Sequence, residues 1–216
     1  MKALIVGLGS MGKRRIRLLK GIDPTVEIIG VDMTAQRREQ VEEMGHKTYS
    51  SITEAAAEKP DVAFVCTAPV SHYVIIKELL ENSINTFTEL NLVKDGYEEL
   101  MALAEKNNTV LFLSSTMLYR GELTYIDEQV KAFDKPVTYI YHIGQYLPDW
   151  HPWESYKNFF VSNKRTNGCR ELFGIEMPWI LRTFGPVKDL YSVSDRLTNL
   201  EIDFDDRYFV TLTHEN

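Results

Sequence analysis

Along the first half of the chain, short apolar runs alternate with stretches whose hydrophobic residues recur at helical spacing. The runs Ala3–Val6, Val26–Val31, Lys47–Tyr49, Val62–Cys66, Thr86–Glu89 and Val110–Leu113 predict strands. Most are unbroken rather than alternating, as expected of parallel strands covered on both faces. Between them, Lys13–Lys20, Ala35–Met44, Ile52–Glu58, His72–Glu81 and Tyr97–Lys106 predict helices. Thr34 and Ser71 stand where helix caps are needed, and Asp95 with Glu98 makes a capping box. The β/α alternation over residues 1–117 therefore predicts an α/β domain of Rossmann type with a parallel sheet.

The pattern changes after Ser115. Tyr119–Phe133 is amphipathic, and the strand-like Val137–Ile143 follows Lys135-Pro136. Gln145–Phe160 is irregular and aromatic, and Cys169–Thr183 predicts a helix that Pro178 kinks or bounds. Asp189–Ser194, Leu200–Phe204 and Tyr208–Thr213 predict further strands, so residues 118–216 read as a second, α+β domain. The chain stops just after the last of these. An open sheet edge there predicts either truncation or self-association across it, as a homo-oligomer.

Composition narrows the function classes. The formal net charge of −7 argues against a nucleic-acid surface, which needs a Lys/Arg excess. Cys66 and Cys169 lack metal-ligand spacing, so no metal site or disulfide framework is expected. No run approaches the length of a membrane span, and Met1–Val6 is too short for a signal peptide, so the chain reads as cytosolic.

Gly7-Leu8-Gly9-Ser10-Met11-Gly12 fits G-x-G-x-x-G and lies between a predicted strand and a predicted helix. Gly7 would permit the tight turn, Gly9 would let backbone approach a pyrophosphate, and Gly12 would let the helix pack on the strand. Free amides at the helix start, including those near Ser10 and Met11, would face the anion. Asp32 follows Gly12 by twenty residues, at the end of the second strand, where a carboxylate can accept from the adenosine ribose. It would repel a 2′-phosphate, so NAD is favoured over NADP, although Arg37 and Arg38 lie close enough to bear on that choice. Lys13, Arg14 and Arg15 read as a solvated helix face.

Two further stretches resemble the glucose–fructose oxidoreductase/inositol dehydrogenase (Gfo/Idh/MocA) family. Val65-Cys66-Thr67-Ala68-Pro69-Val70-Ser71-His72 is similar to its fourth strand, Thr/Pro turn and following His. The resemblance implies that Thr67, Pro69 and His72 lie along the cofactor. Phe87-Thr88-Glu89-Leu90-Asn91-Leu92-Val93-Lys94-Asp95 resembles the family's Glu-Lys-Pro segment, which puts Glu89 beside the cofactor as well. Met117–Arg120 resembles the crossover into the second domain, and Cys169–Gly185 the helix that walls the substrate pocket. Relatives of this kind continue through a larger sheet, so the chain is expected to lack the end of its second domain.

The departures fall on the chemistry. Leu90 and Asn91 replace the family's Lys and Pro, and the acid, His and Asp of its pocket helix align with Glu171, Ile175 and Pro178. Leucine and isoleucine can move no proton, so the catalytic candidates are Glu171, Lys94 and His142, with Tyr146, Lys157 and Glu176 as further polar groups. Tyr146–Trp153 could stack a sugar or base, or could anchor a loop or an interface. The family resemblance implies an NAD-dependent oxidoreductase acting on a sugar or nucleotide-sugar-like small molecule. The substitutions leave open a catalytically silent NAD- or sugar-binding relative.

Overall fold

A computed structural model describes residues 1–215. They form two compact units, the first spanning Met1–Ser114 and the second beginning at Ser115.

In the first unit six parallel strands lie in the order β3-β2-β1-β4-β5-β6. They are β1 (Lys2–Val6), β2 (Glu27–Val31), β3 (Lys47–Tyr49), β4 (Val62–Val65), β5 (Asn85–Thr88) and β6 (Leu111–Leu113). The connecting helices are α1 (Ser10–Ile22), α2 (Ala35–Glu42), α3 (Ile52–Ala56), α4 (His72–Glu81) and α5 (Tyr97–Lys106). The apolar runs of β1, β2 and β4 are unbroken because these strands feed two cores. Leu4, Val6, Ile29, Val31, Ala63 and Val65 pack against Ile76, Leu79, Leu80 and Leu100 of α4 and α5. Ala3, Ile5 and Ile28 face the other way, onto Ile16 of α1 and Val41 of α2. This is the Rossmann arrangement, with the direction of strand progression reversing between β1 and β4.

The strands end nearly flush. Val6 pairs with Val31 and Val65, Val65 with Thr88, and Thr88 with Leu113. The residues immediately after them, Asp32, Gly7, Cys66, Glu89 and Ser114, therefore stand in one row. Each continues the ladder by one bond, such as Gly7 N–H to the Val31 carbonyl at 2.8 Å and Cys66 N–H to the Val6 carbonyl at 2.8 Å.

Two capping expectations are corrected. Helix α5 is capped by Gly96 in the left-handed region (φ +66°), one residue beyond Asp95. Ser71 occupies the cap position of α4, but its hydroxyl turns back to Thr67 Oγ1 and the Ala68 carbonyl instead.

The second unit holds α6 (Gly121–Ala132), a short α7 (Leu147–Trp150), α8 (Gly168–Phe184), and strands β7 (Val187–Asp195) and β8 (Arg207–His214), which pair antiparallel. Val137–Ile143 forms no strand. A strand needs a ladder partner, and among the described residues β7 and β8 pair only with each other. Tyr139 is held instead by stacking on Phe184 and by a hydrogen bond between its hydroxyl and His214 Nε2. Leu200–Phe204 is likewise no strand, although Ile202 and Phe204 bury their side chains. Pro178 neither ends nor bounds α8. The helix runs through it, held by the Asn167 side chain accepting from the Arg170 amide and by Gly185 (φ +85°) at its end.

Candidate functional site

The glycine turn is shaped by close contacts that a side chain would break. Gly7 has φ +93°, and a Cβ there would lie 2.8 Å from the Thr67 methyl and 2.9 Å from Cys66 backbone. On Gly12 a Cβ would fall 2.0 Å from the Gly7 carbonyl oxygen. Gly9 differs. A Cβ there would meet only the Arg37 guanidinium, at 4.0 Å, so the crest of the turn is bare backbone free to approach a ligand. Behind it α1 begins with no acidic residue in its first turn and no side chain capping it. Its first amides, from Ser10 and Met11 onward, are thus available to an anion. These features fit a pyrophosphate.

Asp32 sits one strand over, with its side chain only 7% exposed. Its carboxylate accepts from the Leu8 amide at 2.8 Å and the Thr34 amide at 2.8 Å, with Arg37 at 3.5 Å. Burial opposes its ionisation, but those amides and Arg37 outweigh burial and hold its carboxyl below the usual range. Asp32 is therefore first a brace for the glycine turn. A carboxylate has about four lone-pair sites, so capacity remains for a ribose hydroxyl.

His72 is fully buried. Its Nε2 lies 3.0 Å from the Thr67 carbonyl and its Nδ1 3.2 Å from the Thr88 hydroxyl. A carbonyl only accepts, so Nε2 carries the hydrogen. Burial lowers the pKa against the opposing pull of the Thr67 carbonyl, keeping the ring neutral. His72 thus ties the β4–α4 turn to the end of β5. Pro69 is also buried, as the first residue of a short 3₁₀ turn, while Thr67 is half-buried and packs its methyl on Gly7.

Glu89 does not stand free at the row of strand ends. Arg15 grips it bidentately through one guanidinium edge, Nε donating to Oε1 and Nη2 to Oε2 at 2.9 Å. The Arg15 guanidinium carbon also lies 4.8 Å from the centroid of the Phe87 ring. Arg15 is thus no part of a solvated face. Its signal was its spacing: it lies three residues beyond Gly12 and next to Ile16, both buried against the sheet. The Cys66 thiol lies 3.9 Å from Glu89 Oε1, and burial with that carboxylate pushes its pKa up.

The catalytic candidates separate sharply. Lys94 and His142 are both exposed, Lys94 on the turn before α5 and His142 in the irregular segment after α6. Lys157 pairs with Glu201, and Tyr146 is exposed. Glu176 is buried and accepts from the Trp179 indole N–H at 2.6 Å. Glu171, in the first turn of α8, has Oε2 enclosed without a hydrogen-bond partner, and burial pushes its carboxyl up to about 7. In the aromatic stretch, Trp153 is exposed and stacks on His151, whose Nδ1 lies 2.9 Å from Glu154. No group of His, Cys, Asp and Glu among the described residues is arranged to hold a metal ion, and no described helix is long and apolar enough to cross a membrane.

Residues 1–115 match the Gfo/Idh/MocA oxidoreductase family, described as having an NAD-binding Rossmann fold. The chain belongs to that family. The Rossmann fold that describes the Gfo/Idh/MocA family is the one its six-stranded parallel sheet forms. Among curated proteins, biliverdin reductase A of Homo sapiens is 25% identical over 133 residues, which is 61% of this chain and 45% of that protein. Solved structures of similar fold include GenD2 from gentamicin A biosynthesis, in complex with NAD, with a TM-score of 0.78 at 18% identity. Another is the WlbA dehydrogenase of Bordetella pertussis, in complex with NADH and UDP-GlcNAcA, with a TM-score of 0.79 at 13% identity. Their alignments cover 100% and 99% of this chain, but 62% of GenD2 and 67% of WlbA. The chain thus spans less than half of biliverdin reductase A and under two thirds of GenD2.

Proposed function

We propose that this Gfo/Idh/MocA protein is an NAD(H)-dependent oxidoreductase acting on a hydroxyl or carbonyl of a sugar-like substrate, a nucleotide sugar above all. The observation that carries the cofactor half is the bare crest at Gly9 over an uncapped helix start, braced by Asp32 one strand away. Gly7, Gly9, Gly12 and the amides of Ser10 and Met11 would hold the pyrophosphate. Asp32 would accept from the adenosine ribose, and Thr67 would line the turn. The bound dinucleotide supplies the hydride acceptor or donor. Support for a sugar substrate comes from the WlbA dehydrogenase, bound to UDP-GlcNAcA.

The chain's own contribution to the reaction is the proton. As hydride leaves a carbinol carbon, the hydroxyl proton must pass to a base, and Glu171 is the best-suited candidate, with a carboxyl that titrates near 7. Lys94 and His142, both exposed, are weaker candidates. A silent binder remains the second reading, favoured by Leu90 and Ile175 at positions where relatives carry polar groups. The open face of β7 and β8, which carries Tyr191, Val193 and Phe209, is the surface we assign to self-association.

Titration of NADH by fluorescence, followed by turnover with UDP- and TDP-sugars, tests both halves. Saturable NADH binding with turnover that Glu171→Gln removes supports the full reading. Binding without turnover by the full-length protein supports the silent one, and absence of NADH binding overturns the oxidoreductase reading. Sedimentation equilibrium tests self-association, which a monomer at tens of micromolar refutes, about the concentration at which a micromolar contact would show.

A further inference from the structure

The loop after α7 fixes a histidine ring by its faces and by one nitrogen, and leaves the other nitrogen bare. Pro152 takes the first central position of a turn in which the Glu154 amide donates to the His151 carbonyl at 3.1 Å. That turn returns the Glu154 carboxylate to His151, with Oε1 2.9 Å from Nδ1. The His151 ring also packs on Trp153, with centroids 4.9 Å apart and planes within 19°, and on Phe159 at 4.1 Å. A carboxylate only accepts, so Nδ1 carries the hydrogen and the neutral ring presents Nε2 as a lone pair. Among the described residues that nitrogen has no hydrogen-bond partner. It is not enclosed either, and the His151 side chain is 24% exposed, so the lone pair is within reach of a ligand. The residue before it, Trp150, packs on the start of α8, where a Cβ on Gly168 would lie 3.1 Å from the indole. The loop is thereby pinned to the opening turn of the helix that carries Glu171.

We infer that His151 is a substrate-anchoring residue, whose Nε2 accepts a hydrogen bond from a sugar hydroxyl, with Glu154 as the residue that positions it. The inference rests on the sugar-oxidoreductase reading above and adds the group that holds the substrate, as distinct from Glu171, which takes its proton. A bare lone pair calls for a donor. A hydroxyl supplies one, whereas an ionised phosphate or carboxylate only accepts and would also face the Glu154 charge. Trp153, 74% exposed beside the ring, adds apolar surface on which the C–H groups of a sugar can lie. Because the imidazole is already locked by Glu154, Trp153 and Phe159, no rotamer freedom is lost when a hydroxyl arrives. Anchoring the loop would need only a ring. The bond from Nδ1 to Glu154 does more, because it settles which nitrogen is left to accept.

Diethyl pyrocarbonate acylates a bare imidazole nitrogen, and peptide mass mapping of the NADH-loaded full chain reads each histidine separately. UDP-GlcNAcA and TDP-glucose are the probes, with calorimetry to measure their binding. A sugar nucleotide that binds should protect His151 from acylation and leave the exposed His142 as reactive as before. His151→Phe, which keeps a ring for Trp153 and Phe159, should weaken that sugar nucleotide by about 3- to 10-fold, the scale of one hydrogen bond, with NADH affinity unchanged. Glu154→Ala should cause a similar loss, and Glu154→Gln, whose amide oxygen still accepts from Nδ1, should recover most of it. A bound sugar nucleotide that leaves His151 fully reactive overturns the assignment while the oxidoreductase reading stands. So does one that binds His151→Phe as tightly as the wild type. If NADH binds and neither sugar nucleotide does, the sugar half of that reading falls, and the role of His151 with it.

Discussion

The Asp32 carboxylate accepts a hydrogen bond from the Leu8 amide at 2.8 Å, so the acid at the end of β2 holds the glycine turn after β1 in shape. An Asp32→Ala variant should therefore lose about 1–3 kcal/mol of stability as well as NADH affinity, because the buried Leu8 amide is left without an acceptor. Denaturant titration beside NADH titration separates the two losses. The folded pKa of Asp32 is depressed, so its contribution is present above the unfolded carboxyl pKa and disappears as pH falls through the folded value. Asp32→Asn should accordingly flatten the acid limb of the stability profile. Equal acid sensitivity in variant and wild type would count against the brace.

The three glycines of the turn should respond differently to alanine. Gly12→Ala drives a Cβ to 2.0 Å from the Gly7 carbonyl oxygen, and such overpacking at backbone costs about 3 kcal/mol or more. Poor folding is the expected result, read by circular dichroism. Gly9→Ala meets nothing nearer than 4.0 Å and should fold normally while losing NADH binding. A Gly9→Ala protein that binds NADH as the wild type does would show that the crest of the turn is not where the pyrophosphate rests.

Arg15 and Glu89 should couple energetically. With side chains 22% and 14% exposed, the pair is largely shielded, so removing either partner leaves a charge in a poor environment. Arg15→Gln and Glu89→Gln should each destabilise the protein, and the double variant should recover part of the sum. The coupling expected from a double-mutant cycle is about 1–2 kcal/mol, more than for an exposed pair. Strict additivity would show that the contact carries no net energy.

Glu171 should make the protein less stable as pH rises. Its folded carboxyl is pushed up to about 7 by burial, whereas in the unfolded chain it titrates near 4.5. Between those values the folded state holds more protons, so stability declines across this range and stays low above it. The span corresponds to up to about 3 kcal/mol, and Glu171→Gln should remove that slope. Urea denaturation from pH 5 to 8 measures it. A wild type with no slope relative to Glu171→Gln would indicate an ordinary, hydrated carboxyl.

The amino-acid sequence alone determined the Rossmann unit and its glycine turn, because both are written in short-range spacing. Unbroken apolar runs of four to six residues mark strands covered on both faces, and the interval from Gly7 to Gly12 records one strand–turn–helix junction. Tertiary structure decided everything that depends on distant partners. Arg15 meets Glu89 across 74 positions of sequence, and His72 bridges the Thr67 carbonyl and the Thr88 hydroxyl. Val137–Ile143 has strand composition but no ladder, since a strand exists only where a second one pairs with it. Pro178, a helix breaker by local rules, lies within α8, whose two ends are anchored by Asn167 and Gly185. Periodicity reports which face of an element is apolar. Which charged or polar group that face finds depends on how elements far apart in the chain come together.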